Sequence, residues 1–245
     1  MSRAADDPSP GPAPSAPEGP ADVCGEIDGG WRAQEALDAA LARGEIDEEA
    51  WYRAVQARLV PAYLGGDNPR AQSGQSGDEA GWERARSLVV EAIDRDGTFL
   101  DLGCASGHLM ETVQAWAAAR GRAVEPYGLD LSPDLAALAR RRLPAWAHRI
   151  WVGNALTWPP PRRFDFVHLM ELSYVPAPRR PALVVRLLHD VCAPRGRLIL
   201  GSFNEPTGSR ATESLVASWG HPISGRAERP KSPRVMRRVF WLDAT

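Results

Sequence analysis

The stretch Thr98-Phe99-Leu100-Asp101-Leu102-Gly103-Cys104-Ala105-Ser106-Gly107 constrains the fold of this chain most. It begins as a short apolar run, passes a carboxylate at Asp101, breaks at Gly103 and Gly107, and gives way to a helical pattern from His108. A strand that ends in a glycine turn and feeds a helix is how a doubly wound α/β sheet presents small-molecule ligands, just outside the carboxyl ends of its strands. The rest of the chain fits that plan.

Between about Asp78 and the C-terminus, apolar runs alternate with helical periodicities. Asp78 to Ile93 reads as one helix capped by Asp78, and a helix follows Gly107 with Leu109, Val113 and Trp116 inward. Ala123 to Leu129 reads as a strand ending at Asp130. Ser132-Pro133-Asp134 then supplies a cap, a first-turn proline and a carboxylate for the dipole of a helix that stops before Pro144. Arg149 to Val152 and Phe164 to Leu169 are further strands, and a helix from Pro178 leads to a fifth strand, Arg197 to Gly201. Ser209 to Trp219 is helical, Pro222 to Glu228 weakly strand-like, and Met236 to Leu242 a final strand. Strands that alternate with helices in this way predict a mainly parallel, doubly wound Rossmann-like sheet buried on both faces.

Ahead of this unit, residues 1–25 form a Pro/Ala/Gly/Ser tract with too few apolar side chains to offset the entropy of ordering, and are expected to be a disordered tail. Residues 26–77 are expected as a helical cap with a lid or linker loop, leaving 78–245 as the main domain. In the cap, Leu37 and Leu41 mark one helix, while Trp51, Val55 and Leu59 mark a second that Pro61 is expected to end, with Gly44 between them. Such stripes are ordinarily packing surfaces. Walling a substrate pocket is the alternative.

Composition excludes several classes. With 44% apolar and 24% charged residues the chain is that of an ordinary globular protein, and a net charge of -2 argues against one built to neutralise phosphates. The cysteines Cys24, Cys104 and Cys192 lie far apart without Cys-x-x-Cys spacing, so neither a zinc site nor a disulfide framework is expected, and no metal ligand set stands out. No apolar run approaches the ~20 residues of a membrane span, and the N-terminus lacks the apolar core of a secretory signal; a cytoplasmic protein without a membrane partner is expected.

The residues that follow the strands are the candidate site: Asp101, Gly103, Cys104, Ala105 and Gly107 after the first, Asp130 and Leu131 after the second, Asn154 and Ala155 after the third, Met170 and Glu171 after the fourth. Gly103 and Gly107 allow close backbone approach to a ligand. Asp130, at the end of strand two, is where a carboxylate accepts hydrogen bonds from both hydroxyls of a ribose. The turn does not read Gly-x-Gly-x-x-Gly, and no lysine stands where a phosphate-binding loop needs one. Asp101 would repel a pyrophosphate but favour an α-ammonium group.

These segments, in this order, resemble the class I S-adenosylmethionine-dependent methyltransferases. Phe99 to Gly107 resembles the family's first motif, and Tyr127-Gly128-Leu129-Asp130-Leu131-Ser132 is similar to its strand-two motif, whose acid holds the cofactor ribose. Gly153-Asn154-Ala155 resembles the segment that meets the adenine; Phe164 to Val167 and Pro194 to Leu198 are similar to strand four and the turn into strand five. The resemblance implies the seven-stranded methyltransferase sheet, S-adenosylmethionine as cofactor and in-line methyl transfer to a small-molecule acceptor. The departure is Ala105, where many members carry glycine; cofactor binding is expected to survive the extra methyl.

In-line transfer needs alignment more than acid or base. Glu171 and Tyr174 are expected near the methyl as pocket-rim residues, and His168 is expected as a packed strand histidine. A nucleic-acid methyltransferase is a rival reading, lowered because Met170-Glu171-Leu172-Ser173-Tyr174 stands where such enzymes resemble one another in an Asn/Asp-Pro-Pro-aromatic segment. A non-catalytic cofactor-binding protein is the rival from another class. The methyl acceptor and the oligomeric state are not legible.

Overall fold

The computed structural model describes residues 29–245, so the Pro-rich tail and Cys24 lie outside the described residues. Helices α1 (Gly29–Ala42) and α2 (Glu48–Leu64) precede α3 (Glu79–Arg86), β1 (Gly97–Leu102), α4 (His108–Ala118), β2 (Val124–Asp130), α5 (Pro133–Arg142) and β3 (Ile150–Val152). There follow β4 (Phe164–Leu169), α6 (Arg180–Arg186), β5 (Cys192–Pro206), α7 (Ala211–Ser218), β6 (Gly225–Ser232) and β7 (Val235–Asp243).

The strands form one seven-stranded sheet in the order β3-β2-β1-β4-β5-β7-β6. The pairs among β1 to β5 are parallel, and β7 enters antiparallel between β5 and β6. The chain winds from β1 out to β3 and then returns to the other side of β1 with β4. The strand order therefore reverses between β1 and β4, where a sheet of this kind opens a crevice.

Alternation along the buried strands sorts their side chains to two layers. Phe99, Phe166, Ile199 and Val239 pack with Trp82, Val89, Leu109 and Val113 on one face. Leu100, Leu102, Val167, Leu169, Leu198 and Leu200 pack with Leu183, Val184 and Leu187 on the other. At 25 cal/mol per Å² or so of apolar area removed from water, these two layers dominate the stability of the fold.

Three local expectations are corrected. Pro61 does not end α2: it lies in the last turn, where a proline removes one backbone donor, and the helix runs on to Leu64 with Gly65 N–H closing on Pro61 O. Asp78 caps α3 by accepting from Gly81 N–H at 2.8 Å, but the α-helix tightens after Arg86 into a 3₁₀ stretch, Ser87–Ala92. That stretch buries the consecutive Leu88, Val89 and Val90, which no single α-helical face accommodates. Strand five is longer than Arg197 to Gly201. Its pairing with β4 begins at Cys192, breaks at an irregularity that puts Arg195 at φ 60°, and resumes at Arg197.

Among the described residues, no helix is long and apolar enough to cross a membrane, and no group of three His, Cys, Asp or Glu side chains is placed to hold a metal.

Candidate active site

A cleft of about 1150 Å³, partly open to solvent, lies over the carboxyl ends of β1, β2 and β4. Its floor is the turn after β1. Gly103 stands at φ 80°, and a Cβ there would meet no atom within 4 Å, so the backbone is bare toward open space. Cys104 tucks beneath the turn against Gly128, where a Cβ would sit 2.8 Å from the Cys104 sulfur; only glycine at 128 lets the two strands' ends approach this closely. Burial, with Asp130 and Asp101 beside it, pushes the Cys104 thiol well up, which makes it an inert packing group.

Asp130, 6% exposed at the tip of β2, organises the turn as well as facing the cleft. Its Oδ2 accepts Ala105 N–H and its Oδ1 accepts Ser132 N–H, both at 2.8 Å. Burial raises its carboxyl to about 6, those two N–H donors pull it back down, and the nearby Asp101 charge adds to the rise. Ser132 in turn caps α5, with Leu135 N–H on its hydroxyl at 3.3 Å. Asp101, 4% exposed, lines the same cleft with one oxygen held by His168 at 2.8 Å. Across the cleft Asn154 forms a tight turn, its Oδ1 accepting Leu156 N–H at 2.9 Å.

The structure brings nine of the sequence-derived candidates together on the cleft: Asp101, Gly103, Cys104, Ala105, Asp130, Leu131, Asn154, Ala155 and Met170. Gly107 and Glu171 do not line it. Gly107 faces α5: a Cβ there would meet Leu143 Cδ1 at 2.6 Å, so its glycine serves close helix packing at φ 76°. Glu171 accepts the Ser173 hydroxyl at 3.1 Å.

The far wall is the helix read first as a packing stripe. Trp51 is fully buried, but Tyr52, Val55, Gln56, Leu59, Val60 and Tyr63 of α2 face the cleft. The loop that follows is anchored to the floor, with Ser73 and Ser106 hydroxyls 2.7 Å apart and Ser106 donating to Pro69 O at 2.9 Å. Tyr63 and Tyr174 both line the cleft, and burial drives both phenols up, with Tyr174 offsetting part of the Tyr63 rise and Tyr63 adding to that of Tyr174. Arg86 sits behind Trp82 and Met170, stacked 5.3 Å over the indole and donating to the Met170 sulfur at 2.7 Å. The period-four stripe on α2 was the signal for this wall; nothing local marked which way it faces.

These residues fit S-adenosylmethionine. Two carboxylates on one edge suit an ammonium and a pair of ribose hydroxyls, and each Asp130 oxygen keeps an acceptor site beyond its backbone donor. The open backbone at Gly103 and a lining without a cation among the described residues suit a positively charged ligand without phosphates. Fold and cleft together have the architecture of the Rossmann-like methyltransferase fold.

Comparison with known proteins agrees. Residues 99–196 match the family model of a methyltransferase domain. A trans-aconitate 2-methyltransferase from Methylobacterium radiotolerans is 28% identical over 172 residues, which cover 68% of this chain and 62% of the relative; the match thus spans about three fifths of the relative's length. Among solved structures, the Burkholderia thailandensis 1,6-didemethyltoxoflavin-N1-methyltransferase superposes with a TM-score of 0.57 at 18% identity, covering 82% of this chain and 91% of that one. The magnesium protoporphyrin IX methyltransferase from Synechocystis PCC 6803 gives 0.56 at 14% identity, covering 82% and 98%. The matched stretch is thus similar to a methyltransferase domain, and the sheet has the Rossmann-like methyltransferase fold.

Proposed function

We propose that this protein transfers the methyl group of S-adenosylmethionine to a small, uncharged and largely apolar acceptor. The observation that carries the reading is the lining of the cleft: among the described residues Asp101 and Asp130 are its only charged side chains, and the wall opposite them is, apart from Gln56, aromatic and aliphatic. Asp130, Asn154 and Ala155 would hold the nucleoside end, and Asp101 with the Gly103 backbone the amino-acid end. When bound, the cofactor supplies a sulfonium methyl that is electrophilic in itself.

The chain's own residues align and desolvate. Tyr63, Tyr174, Leu59 and Val60 would enclose the remaining space and exclude water, which favours a transfer whose single positive charge is spread over sulfur and acceptor as the methyl moves. No described lining group is a ready base at neutral pH: Asp101 is tied to His168, Asp130 carries the turn, and the Tyr63 and Tyr174 phenols are held protonated by burial. The acceptor therefore presents its own lone pair, as a neutral amine or a ring nitrogen.

The relatives are named for small-molecule acceptors. An organic acid, as in the Methylobacterium relative's name, finds no arginine or lysine among the described residues of this lining. Net charge and a cleft without a cation among its described lining residues also argue against nucleic acid. We read the enzyme as cytoplasmic and without a membrane partner; the buried free thiols Cys104 and Cys192 are compatible with a reducing compartment.

The test is turnover of S-adenosylmethionine against acceptors sorted by charge, read as S-adenosylhomocysteine formed. Neutral heteroaromatic amines and ring nitrogens are expected to react. Turnover confined to polycarboxylates, or none with any acceptor despite tight cofactor binding, overturns the acceptor class or the catalytic reading respectively.

A further inference from the structure

We propose that His168 is a positioning residue for the cofactor's amino-acid end, acting through Asp101; the inference rests on the cofactor reading above. The sheet register creates the pair. In the parallel ladder between β1 and β4, Asp101 stands opposite His168, and both side chains point to the face that carries Phe99 and Phe166. A histidine at this register point reaches the carboxylate at the mouth of the neighbouring strand without leaving the sheet.

The contact is buried and directional. His168 is fully buried, Asp101 is 4% exposed, and Nδ1 lies 2.8 Å from Oδ1. A carboxylate only accepts, so Nδ1 carries the hydrogen and donates it. Nε2 is buried with no hydrogen-bond partner among the described residues, as suits the bare acceptor nitrogen of that tautomer. The ring is held on its face by Phe99, with centroids 5.9 Å apart and planes 22° from parallel.

This arrangement removes freedom from Asp101 at one oxygen and leaves the other for the cleft. Among the described residues none donates to Oδ2. A short carboxylate beside open backbone has several rotamers; the His168 donor selects one, so the charge that meets an α-ammonium is preorganised and its ordering cost is met in the free protein. His168 itself does not line the cleft, so its effect on a ligand passes through Asp101.

The experiment compares two probes by calorimetry: S-adenosylhomocysteine, which carries the ammonium, and 5′-methylthioadenosine, which lacks it. His168→Leu is expected to weaken S-adenosylhomocysteine about tenfold or more, the weight of a hydrogen bond to a charged group, while methylthioadenosine affinity stays within about twofold. His168→Asn, whose amide nitrogen falls where Nδ1 was, is expected to restore most of the loss. His168→Gln, whose amide lies one bond further out, is expected not to. If His168→Leu does not fold, the Asn and Gln pair carries the comparison between two polar side chains. Equal loss for both probes, no loss for S-adenosylhomocysteine, or no difference between Asn and Gln overturns the proposal. Failure of the wild-type protein to bind either probe overturns the cofactor reading itself.

Discussion

The Asp130 carboxylate holds the Ala105 backbone: Oδ2 accepts Ala105 N–H at 2.8 Å, so the residue at the end of β2 shapes the turn that leaves β1. Asp130 therefore has two roles that one substitution would confound. Asp130→Ala is expected to abolish measurable S-adenosylhomocysteine binding in calorimetry. It is also expected to lower stability by about 1–3 kcal/mol, because two buried N–H donors, Ala105 and Ser132, lose their acceptor. Asp130→Asn keeps one amide oxygen and is expected to cost less stability while still losing at least about tenfold in affinity. Unchanged affinity in either variant would sink the ribose assignment.

The same carboxylate makes a pH prediction. Its value in the free fold is raised from 3.8 to about 6, chiefly by burial. A raised carboxyl means that the fold binds the proton more readily than the unfolded chain does, so ionisation costs stability. That cost is absent below about 4 and fully present above about 6, opposite to the usual carboxylate behaviour. Ligand binding runs the other way: ribose hydroxyls donate to the ionised form, so affinity falls as pH drops through about 6, by at most about tenfold per unit. Calorimetric titration of S-adenosylhomocysteine from about pH 5 to 8 should show this limb in the wild type and a flat profile in Asp130→Asn. A flat wild-type profile would remove Asp130 from the contact.

Gly103 and Gly107 look alike in sequence and differ in what surrounds them. Both have positive φ, 80° and 76°, so an alanine at either pays about 1–2 kcal/mol of strain. At 107 the new methyl also meets Leu143 Cδ1 at 2.6 Å, whereas at 103 it enters open space beside the cleft. Gly107→Ala is therefore expected to cost about 2–4 kcal/mol with affinity nearly intact, and Leu143→Ala to recover part of the loss. Gly103→Ala is expected to cost no more than the strain yet to weaken the cofactor about tenfold, read from melting curves and calorimetry on the same samples. A reversal of the two patterns would mean that the turn approaches its ligand through Gly107.

Strand ends and their glycines were legible because a parallel sheet writes itself as apolar runs closed by carboxylates and turns. Asp101, Asp130 and Asn154 reach one edge simply because each stands at or just beyond the carboxyl end of a strand. Gly107 and Glu171 follow strands too, but adjacency in sequence does not say which way a backbone turn faces; Leu143 and Ser173 decide that. The α2 wall was visible as a stripe, yet the same stripe serves a core or a cleft, and only its position above the β1 turn separates the two. The His168–Asp101 pair was hidden for a different reason. It depends on the register between β1 and β4, which no local pattern specifies.

Ala105 supplies the sharpest test of how the turn is built. It sits at φ 47°, in the left-handed region that glycine adopts freely, and is held there by Asp130. Replacing it with glycine relieves about 1–2 kcal/mol of strain, but forfeits about 0.8 kcal/mol for one buried methyl and up to about 1 kcal/mol of backbone freedom. The terms nearly cancel, so Ala105→Gly is expected to melt within about 2 °C of the wild type. Ala136, also buried but helical, has no strain to relieve, and Ala136→Gly should cost about 2 kcal/mol and melt at least about 4 °C lower. Scanning calorimetry on the pair decides the matter. If both variants fall equally, Ala105 is not strained in the folded protein, and the Asp130 contact then orders a turn that alanine accepts unaided.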